Sequence, residues 1–300
     1  MNTLNFKTVK VDGLDIFYRE AGFKNKPAIL LLHGFPSSSH MYRDLIKDLS
    51  EDYYLVAPDY PGFGQSSSPS PAVYNYSFDN LALTINHFID ALELKKFSLY
   101  VQDYGGPVGF RIAAQRPELI QALIIQNANA YNEVLGDALS PLVDYIQKQN
   151  AGTEQAVRGF LSPDTTKWLY TDGAEDVFKI SPDSYAIDQY YLGRPGNDEI
   201  QLALFRNYGT NLPLYEEWHS YFRKYQPPTL VISGKNDKLF VEAGAKAFRR
   251  DLKDAQISLL NGGHFVLEEK HAEAASMIKS FLAIKIFNNF IDIRDLSTAR

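Results

Sequence analysis

The chain has 300 residues, enough to bury a large core in one domain or two small ones without staples. Its composition is that of a globular protein, 45% hydrophobic and 22% charged; its net charge of −6 argues against nucleic acid as a partner, since phosphate binding calls for clustered Lys and Arg. The absence of cysteine excludes disulfides, a thiol nucleophile and Cys-type zinc sites. The N-terminus, MNTLNFKTVKVDG, has no apolar run of signal-peptide length, and no stretch approaches the roughly 18 apolar residues of a membrane span. The expectation is therefore a cytoplasmic protein.

Residues 5–11 and 14–20 alternate around Asp12-Gly13 and predict a β-hairpin. The run 28–32 is continuously apolar, as in a strand buried on both faces of a parallel sheet. It ends at HGFP, and a helical stretch follows over 39–49. A strand at 53–57 leads into the loop DYPGFGQSSSPSP, and 77–92 has helical periodicity. A strand at 97–101 runs into QDYGGP, with a helix over 107–115 and a strand at 122–125. From about 130 to 223 the pattern turns helical and loop-like, rich in Tyr, Asp and Pro, with no buried strand. Strands at 229–233 and 256–260 then alternate with helices at 241–252 and 267–283. The alternation predicts a mostly parallel sheet flanked by helices, its core formed by 1–129 and 224–300, with 130–223 inserted as a helical cap. The tail after 283 has no assignable role.

Three loops carry chemistry. In VQDYGGP (101–107) a strand ends at an exposed turn and Pro107 opens a helix, the strand–turn–helix context of a nucleophile elbow. The residue at its apex is Asp103. Taken alone, this aspartate could simply cap the helix. Two later features favour the elbow: Asp237 in GKNDKLF and His264 in NGGHF each follow a strand directly. The order nucleophile, acid, histidine is that of a hydrolytic triad built on an α/β sheet, and the carboxyl ends of strands are where such sheets bind ligands. No G-x-S-x-G competes. The backbone N–H groups of Phe35, in HGFP, and Tyr104 are the expected oxyanion hole. His33 reads as a structural turn residue; His40, His87, His219 and His271 read as surface or packing residues. None has metal-ligand spacing, and YPGFGQSS lacks the lysine of a phosphate loop, so neither metal nor cofactor is expected.

HGFPSSSHMYR, DYPGFG, VQDYGGPVGF, SGKNDKLF and GGHFVLEE together resemble the α/β-hydrolase superfamily, and within it the branch of epoxide hydrolases and haloalkane dehalogenases. The resemblance extends to about residue 283. It implies the α/β-hydrolase fold, with Asp103 as nucleophile, His264 as base and Asp237 as the acid that orients it. Some relatives carry the acid after the sixth strand; here that region, QNANAY, offers only Asn127 and Asn129, which hold no charge.

The implied chemistry runs through an alkyl ester. An aspartate is already ionised near neutral pH, its reference pKa being about 3.9, and can attack a saturated carbon directly. His264 then activates a water that attacks the ester carbonyl of Asp103. Dehalogenases supply an indole N–H from a Trp after the nucleophile; here that residue is Tyr104, and Phe35 stands where they carry Asn or Glu. In the cap, Trp168 could serve a halide instead. Epoxide hydrolases use cap tyrosines, and NLPLYEEWHSYF (211–222) resembles the segment carrying one, which nominates Tyr215, with Tyr170 and Tyr191 behind it. An epoxide substrate thus ranks ahead of a haloalkane. Two further alternatives are an esterase or lactonase that activates water directly and a non-catalytic ligand-binding member of the fold. The expected partner is a small apolar molecule; oligomeric state is not encoded legibly.

Overall fold

The computed structural model describes residues 3–132 and 136–287. The chain begins with an antiparallel hairpin, β1 (Asn5–Val11) and β2 (Leu14–Ala21), turned at Asp12 and Gly13 with φ of 50° and 83°. Such a turn matches the right-handed twist of the strands it joins. β2 then pairs antiparallel with β4 (Tyr54–Pro58). β3 (Ala28–Leu32), β5 (Phe97–Gln102), β6 (Ile120–Gln126), β7 (Thr229–Gly234) and β8 (Gln256–Leu260) complete one eight-stranded sheet in the order β1-β2-β4-β3-β5-β6-β7-β8, parallel from β4 onwards. The central strands are buried on both faces, which is why their sequences are largely apolar.

Helices α1 (Arg43–Leu49), α2 (Phe78–Ala91) and α3 (Gly105–Gln115) follow β3, β4 and β5. Ser77 caps α2 by accepting from the N–H of Asn80, and Phe78, Leu81, Ile85, Phe88 and Ile89 form its buried stripe. Between β6 and β7 the described residues form no strand. They make α4 (Ser140–Gln147), α5 (Ala151–Arg158), α6 (Pro163–Thr171), α7 (Pro182–Leu192), α8 (Asn197–Asn207) and α9 (Tyr215–Tyr225), with a 3-10 turn at Tyr208–Leu214. The last pair, α10 (Glu242–Ala247) and α11 (Leu267–Leu282), flank β8, and α11 packs on α1.

Buried polar bonds tie the helical insertion to the sheet layer. Arg111 of α3 donates from Nε to Asp79 (2.6 Å) and from Nη1 to Asn211 Oδ1 (2.7 Å). Arg43 of α1 reaches Ser184 of α7 and Glu268 of α11. Asn197 Nδ2 donates to the Gly62 carbonyl at 2.8 Å. No helix among the described residues is long and apolar enough to cross a membrane. Residues 288–300, expected to continue the core, lie outside the described residues.

Candidate active site

The end of β5 forces the geometry of the site. Asp103 leaves the strand with φ of 48°, a left-handed conformation that costs a non-glycine residue about 1–3 kcal/mol. Its own backbone holds it there: its N–H donates to the Asn127 carbonyl (3.1 Å), and its carbonyl accepts from the N–H of Gly106 (2.9 Å). α3 therefore starts at Gly105, two residues before the position that Pro107 suggested. Close approach explains two glycines. A Cβ at Gly105 would stand 2.1 Å from the Leu32 carbonyl oxygen, and one at Gly34 would stand 2.2 Å from Asp103 Cβ.

The Asp103 carboxylate is nearly inaccessible. Phe35 donates its backbone N–H to Oδ1 at 2.7 Å, and the backbone N–H of Tyr104 also donates to the carboxylate. Burial pushes the Asp103 pKa from 3.8 up to about 6, against the opposing pull of His264 and of those two N–H groups. The pair expected to form an oxyanion hole thus surrounds one carboxylate.

His264 follows β8, and its Nδ1 lies 2.9 Å from Asp237 Oδ2. Asp237, in the loop after β7, is fixed on both oxygens: Leu239 N–H donates to Oδ1 (2.7 Å) and Asn127 Nδ2 to Oδ2 (2.7 Å). Asn127 itself sits at φ 40° and accepts from Gly234 N–H at 3.1 Å. Although it carries no charge, it fixes the Asp237 carboxylate. Burial works against a charged His264, yet Asp237 and then Asp103 hold its pKa above the ordinary value. Asp103, His264 and Asp237 thus meet at the carboxyl edge of the sheet, brought by three separate strand ends. Gln102, the last residue of β5, adds an amide 3.0 Å from His264 Nε2.

A small cavity of about 30 Å³ opens on Asp103. Phe35, Tyr104, Leu239 and Phe240 line it from the sheet side; Leu139, Leu142, Phe160, Leu169, Phe205 and Tyr208 line it from the insertion. The four cap side chains nominated from sequence lie off this wall. Trp168 is turned towards Lys238, whose Nζ is 5.9 Å from its ring, while its neighbour Leu169 takes the cavity position. Tyr170 stacks on Phe265 at 3.9 Å and donates its hydroxyl to Asp188. Tyr191 bonds to Gln65. Tyr215 accepts from Asn129 Nδ2 at 3.0 Å and packs on Trp218. The insertion's tyrosine that does line the cavity, Tyr208, was missed. It lies seven residues before Tyr215, and nothing in the sequence sets it apart from the other 18 tyrosines. Its hydroxyl has no hydrogen-bond partner among the described residues, and its pKa is raised well above 10 by burial and by Tyr215, Asp103 and Tyr104.

A sheet of this topology, with these three residues on its strand-end loops, defines a class. The alpha/beta hydrolase fold family matches residues 27–271, and the chain belongs to it as a hydrolase. It is 38% identical over 276 residues to an uncharacterized hydrolase of Saccharomyces cerevisiae, covering 91% of this chain and 94% of that one. It is 28% identical over 270 residues to the cis-3-alkyl-4-alkyloxetan-2-one decarboxylase of Shewanella oneidensis, covering 85% and 81%. A 127-residue stretch is 35% identical to epoxide hydrolase 4 of Mus musculus, covering 42% and 35%. The solved structure of the haloalkane dehalogenase DatA from Agrobacterium tumefaciens superposes with a TM-score of 0.78 at 23% identity, over 93% of this chain and 96% of that one.

Proposed function

We propose that this hydrolase opens a small apolar epoxide to a diol through a covalent ester on Asp103. The observation that carries the reading is the make-up of the cavity: a carboxylate bonded by the Phe35 N–H on one side, and Tyr208 as the hydroxyl-bearing residue among those the insertion contributes to the wall. No Trp lines this cavity among the described residues, so the indole donor that would favour a departing halide is missing from the wall.

In the first step an oxygen of Asp103 attacks an epoxide carbon, and the carbon–oxygen bond of the ring breaks. The alkoxide takes the phenolic proton of Tyr208. A raised phenol pKa does not stop this transfer, because an alkoxide is the stronger base. In the second step His264 Nε2 removes a proton from water, and the hydroxide attacks Cγ of Asp103. The N–H groups of Phe35 and Tyr104, already aimed at this carboxyl group, stabilise the tetrahedral oxyanion. Asp237 keeps the imidazole proton on Nδ1 and stabilises the imidazolium. Collapse releases the diol, and the imidazolium returns a proton to the Tyr208 phenolate through solvent. The helical insertion acts as the lid, and the aromatic and aliphatic wall selects apolar substrates.

A second reading, dehalogenation, uses the same nucleophile and base without the Tyr208 proton. Intact mass separates the two. His264→Gln is exposed to styrene oxide and, separately, to 1-bromobutane. A persistent adduct equal to the whole epoxide supports the proposal. An adduct from bromobutane alone, with bromide released, transfers support to dehalogenation. No adduct with either, while wild type turns one over, overturns the covalent mechanism.

A further inference from the structure

Gln102 stands beside the base without a part in the steps above. It is the final residue of β5, its side chain is fully buried, and its Nε2 lies 3.0 Å from His264 Nε2. Its Oε1 is also buried and has no hydrogen-bond partner among the described residues. A buried amide oxygen left unpaired is costly, so the arrangement needs a reason.

The imidazole supplies one. Nδ1 keeps its proton against Asp237, so neutral His264 offers a lone pair at Nε2, and the Gln102 N–H fits it. Once His264 has taken a proton from water, Nε2 becomes a donor and faces an amide N–H, donor against donor. A half-turn of the carboxamide about its Cγ–Cδ bond replaces N–H by Oε1, the atom that otherwise has no partner. One side chain can thus satisfy both protonation states of the base. The charged groups facing His264 are Asp237 and Asp103, and Phe240 and Phe265 pack against its ring, leaving the amide as the neutral contact at Nε2.

We propose that Gln102 is a positioning residue for the hydrolytic half-reaction: its carboxamide caps His264 Nε2 between turnovers, yields that lone pair to the attacking water, and returns with Oε1 inward to accept from the imidazolium after proton transfer. This inference rests on the two-step ester reading. The alkylation step does not use His264 as a base, so the two half-reactions separate its effects.

Gln102→Met keeps the length of the side chain and removes both polar ends. With styrene oxide in rapid-quench intact-mass measurements, ester formation should stay within about 3-fold of wild type. Ester hydrolysis should slow by about 10- to 100-fold, so that the ester accumulates during turnover. Gln102→Glu places a carboxylate at Nε2, favours the imidazolium and should move the acidic limb of hydrolysis upward by about one pH unit or more. A merely structural role slows both half-reactions together and leaves that limb in place; that result overturns the proposal, as does hydrolysis within 2-fold of wild type in Gln102→Met. His264→Gln, run in parallel, separates the failures. If it traps the ester while Gln102→Met does not, only the role of Gln102 is lost. If it forms no ester at all, the covalent reading and this inference fall together.

Discussion

Replacing Asp188 by asparagine should remove a pH dependence of stability that the chain carries in its helical insertion. Asp188 lies on α7, fully buried, with the Tyr170 hydroxyl donating to Oδ2 and no partner for Oδ1 among the described residues. Burial pushes its pKa from 3.8 up to about 7, although the bond from Tyr170 pulls the other way. In the unfolded chain the group titrates near its ordinary value. Between about pH 4 and pH 7 the folded chain therefore holds a proton that the unfolded chain has released. Its contribution to stability is complete at low pH and is lost as pH rises through that window, the opposite of an ion-paired carboxylate. The gap between 3.8 and about 7 corresponds to roughly 4 kcal/mol in all, at about 1.4 kcal/mol per pH unit. Asparagine keeps an oxygen for Tyr170 and does not titrate. Equilibrium urea unfolding of both proteins at pH 5 and pH 7.5 reads the effect. The difference between variant and wild type should grow by about 3 kcal/mol in the variant's favour at the higher pH. Taking that difference cancels Asp103 and every other group the two proteins share. A difference that stays constant within about 0.5 kcal/mol refutes the reasoning.

Two further outcomes follow from the site. In Gly34→Ala the new methyl would lie 2.4 Å from Asp103 Oδ1, so the carboxylate must move; ester formation from styrene oxide should fall by about 100-fold with far-UV circular dichroism unchanged. Near-native rates would contradict the placement of HGFP against the elbow. Tyr208→Phe should slow ester formation from styrene oxide by about 100-fold and leave that from 1-bromobutane within about 3-fold. An equal loss with both substrates would remove Tyr208 as the proton source.

The sheet was legible because burial on both faces leaves a strand no polar positions. Ala28–Leu32 is bounded in the structure as its apolar run suggests. The loops bearing Asp103, Asp237 and His264 were legible for a related reason: each follows a strand, so its position in space is fixed once the strands are paired. The start of α3 was harder. Pro107 signals a helix, but the Gly106 N–H bond to the Asp103 carbonyl begins it earlier, as soon as the chain leaves the strand. The cavity wall was not legible at all. Successive helical residues point about 100° apart, so Trp168 and Leu169 face different neighbours, and which one meets Asp103 depends on how α6 docks. Sequence spacing carries no record of that docking. Tyr170, Tyr191 and Tyr215 fail as cavity residues for the same reason: each finds a partner elsewhere at the seam between helices and sheet.

The division of the cavity between two parts of the chain bears on how such a protein diverges. In the proposed reaction, the groups that make and break bonds hang from strand ends whose backbone cannot move without disturbing the sheet. Most of the wall comes from the insertion, whose residues take no part in the strand pairing, including Leu139, Leu142, Phe160 and Phe205. Mutation can therefore redraw the wall while the elbow stays intact. A descendant could change its diet through a handful of such exchanges and keep every reacting atom in place.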